Sequence, residues 1–136
     1  RIPLSKFWEN EMSLPTLRSH APAFVVLTPT MLNKSTIDAN ASIRAFAKLV
    51  GVDYDEIGKG EKISIPGEYT DGTPTVINFY RCATRADRRL SVKDIKKRCV
   101  AGDTVALTFK VTPEGDVVWV VNVTQQPEYR GLVEAS

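Results

Sequence analysis

Thr104 to Val111 alternates without a break, with Val105, Leu107, Phe109 and Val111 set against Ala106, Thr108 and Lys110. Successive side chains of a strand point to opposite faces, so a period of two marks a strand with one buried face and does not fit a helix. Thr112-Pro-Glu-Gly-Asp116 then supplies a turn of hairpin length. Val117 to Val123 (VVWVVNV) follows, apolar on both faces as a central or covered strand is.

The remaining segments have to pack against that hairpin. Ala23-Phe-Val-Val-Leu27 is a short apolar run that predicts a buried strand, ended or bent by Pro29. Glu61 to Ile65 alternates and stops at the Pro66-Gly67 turn signal, and the Asp71-Gly72 pair with Pro74 predicts a second turn. In Thr75 to Arg81, Ile77 and Phe79 share one face while Val76, Asn78 and Tyr80 share the other. Ala39 to Val50 is the clearest helix, with Ile43, Phe46, Ala47 and Val50 on one face, Asp38 or Asn40 to cap it and Gly51 to stop it. Leu4, Phe7, Trp8 and Met12 are spaced for a short N-terminal helix. About five strands joined mostly by turns, with two or three short helices, predict an α+β or mostly β fold: a small open β-barrel or pseudobarrel. The expected layout is one domain over residues 1–136, with an N-terminal helix and connection to 22, a barrel from 23 to 123 and a peripheral tail.

Charge is unevenly placed. The stretch Arg81 to Arg98 holds eight cations against Asp87 and Asp94, a net of +6 in a chain whose net is +2, so the rest sums to −4. Four of the cations are arginines within nine residues, Arg81, Arg85, Arg88 and Arg89. The planar guanidinium fork suits phosphate oxygens and guanine edges better than an ammonium point charge does. Cys82 to Leu90 lacks an apolar period and predicts a loop. Ser91-x-x-Asp94 resembles a capping box before a short helix that turns Val92, Ile95 and Cys99 inward and Lys93, Lys96, Lys97 and Arg98 outward. The bland alternative is a wet basic surface, which charge runs commonly are.

Several function classes lose support. There is no apolar run of bilayer length, no GxGxxG and no P-loop. Two cysteines and one histidine, His20, without CxxC or HxxxH spacing, are too few for a structural zinc site. A Cys-His nucleophile would need His20 folded onto the basic loop, and the Asp53, Asp55 and Glu56 cluster lacks the pattern of a calcium loop. Catalysis, a metal and a small-molecule cofactor are therefore not expected of this chain. The cysteines read as two buried thiols, or as one disulfide if the chain is secreted. Asn33, Asn40 and Asn122 then offer Asn-x-Ser/Thr triplets.

The order Leu27-Thr28-Pro29, then DGTPTVINFYR, an arginine-bearing loop, a short helix and CVAGDTVALTF is similar to the DNA-binding pseudobarrel family. That family includes plant auxin-response and abscisic-acid-response DNA-binding domains and the effector-binding domains of some bacterial restriction endonucleases. The resemblance spans roughly residues 23 to 123 and is nearest at Ala101 to Val105. It implies a seven-stranded open barrel that straddles the DNA major groove with two arms. The N-arm falls on Thr28, Thr30, Asn33, Lys34 and Ser35, and the C-arm on Arg81, Thr84, Arg85, Arg88 and Arg89. The helix at Ala39 to Val50 is longer than that family's pattern, and Tyr80-Arg81-Cys82 departs from the plant proteins, so the bacterial restriction-modification branch is the closer.

The expectation is a non-catalytic domain for sequence-selective duplex DNA binding, cytoplasmic or nucleoid-associated, with no membrane contact. Arg85, Arg88 and Arg89 would reach base edges or phosphates, and Lys93, Lys96, Lys97 and Arg98 would contact phosphates. Two other classes stand beside it: a protein-interaction or assembly subunit docking an acidic partner, and OB-like single-strand binding with Phe79 or Tyr80 as stacking platforms.

Overall fold

The computed structural model describes residues 2–3, 23–49 and 51–125. The helix expected over Leu4 to Met12, the connection carrying His20 and the tail beyond Gln125 lie outside the described residues. The elements in chain order are β1 (Ile2–Pro3), β2 (Ala23–Val26), α1 (Pro29–Lys34), β3 (Ile37–Asp38) and α2 (Ala41–Leu49). There follow a 3-10 turn (Tyr54–Glu56), β4 (Lys62–Tyr69), β5 (Pro74–Arg81), β6 (Arg88–Val92), a second 3-10 turn (Ile95–Lys97), β7 (Thr104–Val111) and β8 (Asp116–Thr124).

The strands form one sheet in the order β2-β7-β8-β4-β5-β6-β3, with β1 added beside β8. It curls into an open half-barrel of seven strands, as the turn-linked pattern predicts. Every strand pair is antiparallel except β4 with β8, where Gly67, Glu68 and Tyr69 run parallel to Trp119, Val120 and Val121. Gly67 is needed at that join. A Cβ there would sit 3.1 Å from the Trp119 carbonyl oxygen and 3.3 Å from Ile77 Cδ1.

The core lies inside the curl. Ile77, Phe79, Leu90, Val105, Leu107, Val117, Trp119 and Val121 point inward from the strands, and Ile43, Phe46 and Ala47 of α2 cover them. Phe46 meets the Trp119 ring edge-on at 5.2 Å between centroids, and Trp119 is 5.5 Å from Phe79. Aromatic pairs at these separations add stability beyond the area they bury.

The two edge strands, β2 and β3, do not pair with each other; side chains span the gap. Asn40 caps α2, its Oδ1 accepting from Ile43 N at 3.0 Å, and its Nδ2 donates to the Phe24 carbonyl at 3.0 Å. Ser42 Oγ donates to the same carbonyl at 3.3 Å and accepts from Phe24 N at 3.4 Å. The N-terminus of α2 thus satisfies Phe24 on the open edge of β2, where unpaired backbone would otherwise invite another strand.

Three local expectations are corrected. Pro66-Gly67 does not end β4, which runs on to Tyr69; β8 joins only from Gly67 onward, so the missing N–H of Pro66 faces no partner strand. Pro29, expected only to end or bend the strand, also opens a helix: Thr28 Oγ1 accepts from Met31 N at 3.1 Å and caps α1, with Pro29 in its first turn and Ser35 left-handed (φ 53) at its end. No helix starts at Ser91. Residues Arg88–Val92 are a strand, Asp94 sits at φ 65 without a capping bond, and only a single 3-10 turn follows.

Phe46 carries the contact between helix and sheet, so Phe46→Ala should lower unfolding stability by about 3–5 kcal/mol. Urea unfolding followed by Trp fluorescence checks this; a loss under about 1 kcal/mol would mean that α2 is not a structural part of the core.

Candidate nucleic-acid interface

The outward face of β4, β5 and β6 is polar, while their inward face is core. Ser64, Asn78 and Ser91 lie side by side across the three strands, because Ser64 is in register with Asn78 and Asn78 with Ser91. Ser64 Oγ donates to Asn78 Oδ1 at 2.6 Å, and Asn78 Nδ2 donates to Ser91 Oγ at 3.2 Å. One register step away, the Tyr80 hydroxyl and Thr36 Oγ1 are hydrogen-bonded at 2.7 Å. Basic groups stand at both ends of this face.

At one end is the β5–β6 hairpin loop, residues 82–87. It is closed by Cys82 N to the Asp87 carbonyl and Ala86 N to the Cys82 carbonyl, both 3.0 Å, with Ala86 left-handed at φ 58. Arg44, Arg81, Arg85, Arg88 and Arg89 surround an open hollow of about 600 Å³, with Asp38 and Asp87 among them. The resemblance-based C-arm residues are thus brought together, but they are not equivalent. Arg81 is half-buried and structural, its Nε donating to the Ala86 carbonyl at 3.1 Å and its Nη1 to the Ile57 carbonyl at 3.2 Å. Arg88 pairs with Asp55 at 2.7 Å, and Arg89 with Asp87 at 3.1 Å and Asp38 at 3.7 Å. Arg85 and Thr84 are exposed at the loop tip and have no side-chain partner among the described residues. The loop expected over Cys82 to Leu90 is therefore shorter: Arg85 stands at its tip, while Arg88 and Arg89 lie in strand β6.

At the other end is the turn after β6. Its position is fixed from inside: the Lys93 carbonyl accepts from the Tyr69 hydroxyl at 2.6 Å and from Thr75 Oγ1 at 2.9 Å. Lys96 Nζ reaches the Asn33 carbonyl at 3.0 Å and ties this turn to α1, so Asn33, Lys34 and Ser35 of the expected N-arm do adjoin it. Lys97 pairs with Asp94 at 3.4 Å. Lys93 and Lys34 are exposed without partners among the described residues, and Thr30 is exposed on α1. Arg98 is withdrawn from the surface, its guanidinium 3.9 Å from the Tyr69 ring centroid and 3.0 Å from Asp71.

A buried tyrosine anchors each end. Tyr69 holds the lysine turn, and the Tyr54 hydroxyl donates to the Arg89 carbonyl at 2.8 Å at the arginine end. Burial pushes the pKa of both phenols up, so they stay protonated and keep donating.

Residues outside the sequence expectation also belong to this surface. Asn78, Ser64 and Lys62 were legible only as the polar side of alternating strands, and Arg44 only as the wet side of a helix. Of the proposed stacking rings, Phe79 is wholly core and Tyr80 is half-buried against Thr36. Cys82 is half-buried and Cys99 buried, both as free thiols. Among the described residues no cluster of three or more potential ligands is placed to hold a metal, and no helix is long and apolar enough to cross a membrane.

Hydrogen bonds from Thr73, backbone and side chain, and then one from Arg98 hold the Asp71 carboxyl down at about 2. A depressed folded-state pKa gives stability that is present above the unfolded value, about 3.9, and is lost as pH falls through the folded one. Asp71→Asn should therefore flatten the acid limb of stability between roughly pH 4 and pH 2. Thermal melts of both proteins across that window check it, and parallel curves would contradict the assignment.

No family model, no curated protein and no solved structure matches this chain.

Proposed function

We propose that this domain binds duplex DNA without chemistry of its own, laying the outer face of β4–β6 along the major groove with a basic group on either side. The observation that carries this is the placement of the two basic ends on one strand. Arg88 opens β6 and Val92 closes it. At about 3.3 Å per residue that strand is roughly 13 Å long, on the order of the major-groove width of about 12 Å, with the Arg85 loop beyond one end and Lys93 beyond the other. Phosphates on both sides of one groove would meet the Arg85 loop and the Lys93 turn together. The sequence likeness to DNA-binding pseudobarrels supports the same reading, with the 82–87 loop as one arm and the α1 segment beside the lysine turn as the other.

The ion pairs at the arginine end do not block this role. Arg88 and Asp55 are well exposed, with side chains 41% and 70% accessible, and pairs at such exposure are weak. A guanidinium has five N–H donors, and the bond to Asp55 uses one of those on Arg88. A phosphate oxygen can add to the remaining donors or take the aspartate's place.

Fluorescence anisotropy with duplex, single-stranded and RNA probes over a salt series tests the proposal. Duplex is expected to bind tightest. Arg85→Ala and Lys93→Ala should each weaken all duplexes evenly and lower the salt slope by about 1. Undiminished duplex binding by the Arg85→Ala, Lys93→Ala double variant, or retention of an acidic protein in preference to duplex, would overturn it.

A further inference from the structure

Asn78 is out of character for its position. It sits mid-way along the eight-residue strand β5, paired on one side with β4 and on the other with β6. Asparagine is depleted in strands, where it neither packs well nor gains from the regular backbone. Here the backbone is ordinary extended ladder, so no cap or turn calls for the residue. The amide has two N–H donors and two acceptor lone pairs. The contact from Ser64 uses one lone pair and the contact to Ser91 uses one N–H, which leaves one acceptor and one donor. The two serines also hold the plane of the amide across the strands. Asn78 lines a hollow of about 490 Å³ together with Val76, Ser91, Lys93, Asp94 and Lys96.

We infer that Asn78 is a base-reading side chain, offering its remaining donor and acceptor to N7 and N6 of an adenine, with Val76 beside it for the methyl group of the paired thymine. This inference rests on the duplex-binding proposal and adds to it the source of sequence preference. The donor and acceptor needed are the ones that a fixed Asn presents to an adenine edge in the major groove. The location agrees, because Asn78 and Ser91 lie one register step from the Tyr80 and Arg89 pair and one from the Lys93 turn. A base edge would thus be read between the two phosphate-binding ends. A cross-strand ladder serving only to tie β4, β5 and β6 would make a different prediction: loss of stability without change of preference.

Selection of binding sites from a random duplex pool separates the two. Wild-type protein should select an A at one position. Asn78→Ala should lose that preference and bind the selected duplex about ten- to hundredfold more weakly, with binding to an unrelated duplex and the melting temperature little changed. Asn78→Asp should move the preference at that position from A to C, since a carboxylate accepts from the cytosine amino group and has no N–H for N7. Unaltered site preference in both variants, with binding still lost in Arg85→Ala, would overturn this inference and leave duplex binding standing. Failure of the wild type to bind any duplex would overturn both.

Discussion

Trp119 is the point on which the architecture turns. Its backbone stands against Gly67 at the parallel join of β4 and β8, and its ring lies between Phe46 of α2 and Phe79 of β5. Phe79 in turn meets Tyr54 edge-on at 6.1 Å. One chain of rings therefore links the helix, the two halves of the sheet and the 3-10 turn before β4. A parallel pair between strands so far apart in sequence is slow to find and has little local support. The large indole, buried to 1% exposure, supplies contacts on both sides that make the pairing worth its loop-closure entropy.

That core reaches the surface through hydrogen bonds rather than through side-chain packing. Tyr54 and Tyr69 are ring-deep in the interior, yet each spends its hydroxyl on a backbone carbonyl of the surface strand, that of Arg89 or that of Lys93. Carbonyls fixed in this way hold the backbone of β6 and of the turn after it, and hence the Cα positions of the cations. Long basic side chains carry considerable rotamer entropy, and ordering their roots in advance lowers the cost of ordering their tips on a partner. The half-barrel therefore works as a frame for two basic ends at a set separation.

Much of this frame was legible in the sequence, and the illegible parts have specific causes. The β7–β8 hairpin and α2 follow directly from period and capping, since Val105, Leu107, Val117 and Trp119 alternate inward and Asn40 does cap its helix. Strand β6 was hidden because its outward residues are Arg89 and Ser91, which give it the composition of a loop. Ser91 and Asp94 have the spacing of a helix cap, but the Ser91 hydroxyl is already engaged by Asn78, a contact fixed by strand register and not by local sequence. α1 was masked by Pro29, which reads as a breaker yet is favoured in the first turn of a helix. The β4–β8 pairing leaves only a trace, a glycine after a proline, which reads equally well as a turn. The charge run marks where the cations lie along the chain but says nothing of which have partners, since Asp38, Asp55 and Asp71 come from distant parts of the chain.

Those acids bear on how a chain of net charge +2 could serve a polyanion. Asp38, Asp55 and Asp87 stand among the arginines and pair with Arg88 and Arg89. On the proposed duplex, a phosphate arriving where it can replace a carboxylate finds a guanidinium whose present partner holds it only weakly. A phosphate arriving elsewhere meets the carboxylate's own negative charge. Interspersed acids thus subtract from the indiscriminate attraction that a uniformly basic patch would exert, and subtract least where the fit is correct. On that proposal the surface exchanges one anion for another and favours selectivity over strength, in keeping with a low net charge and with a polar amide between the two basic ends.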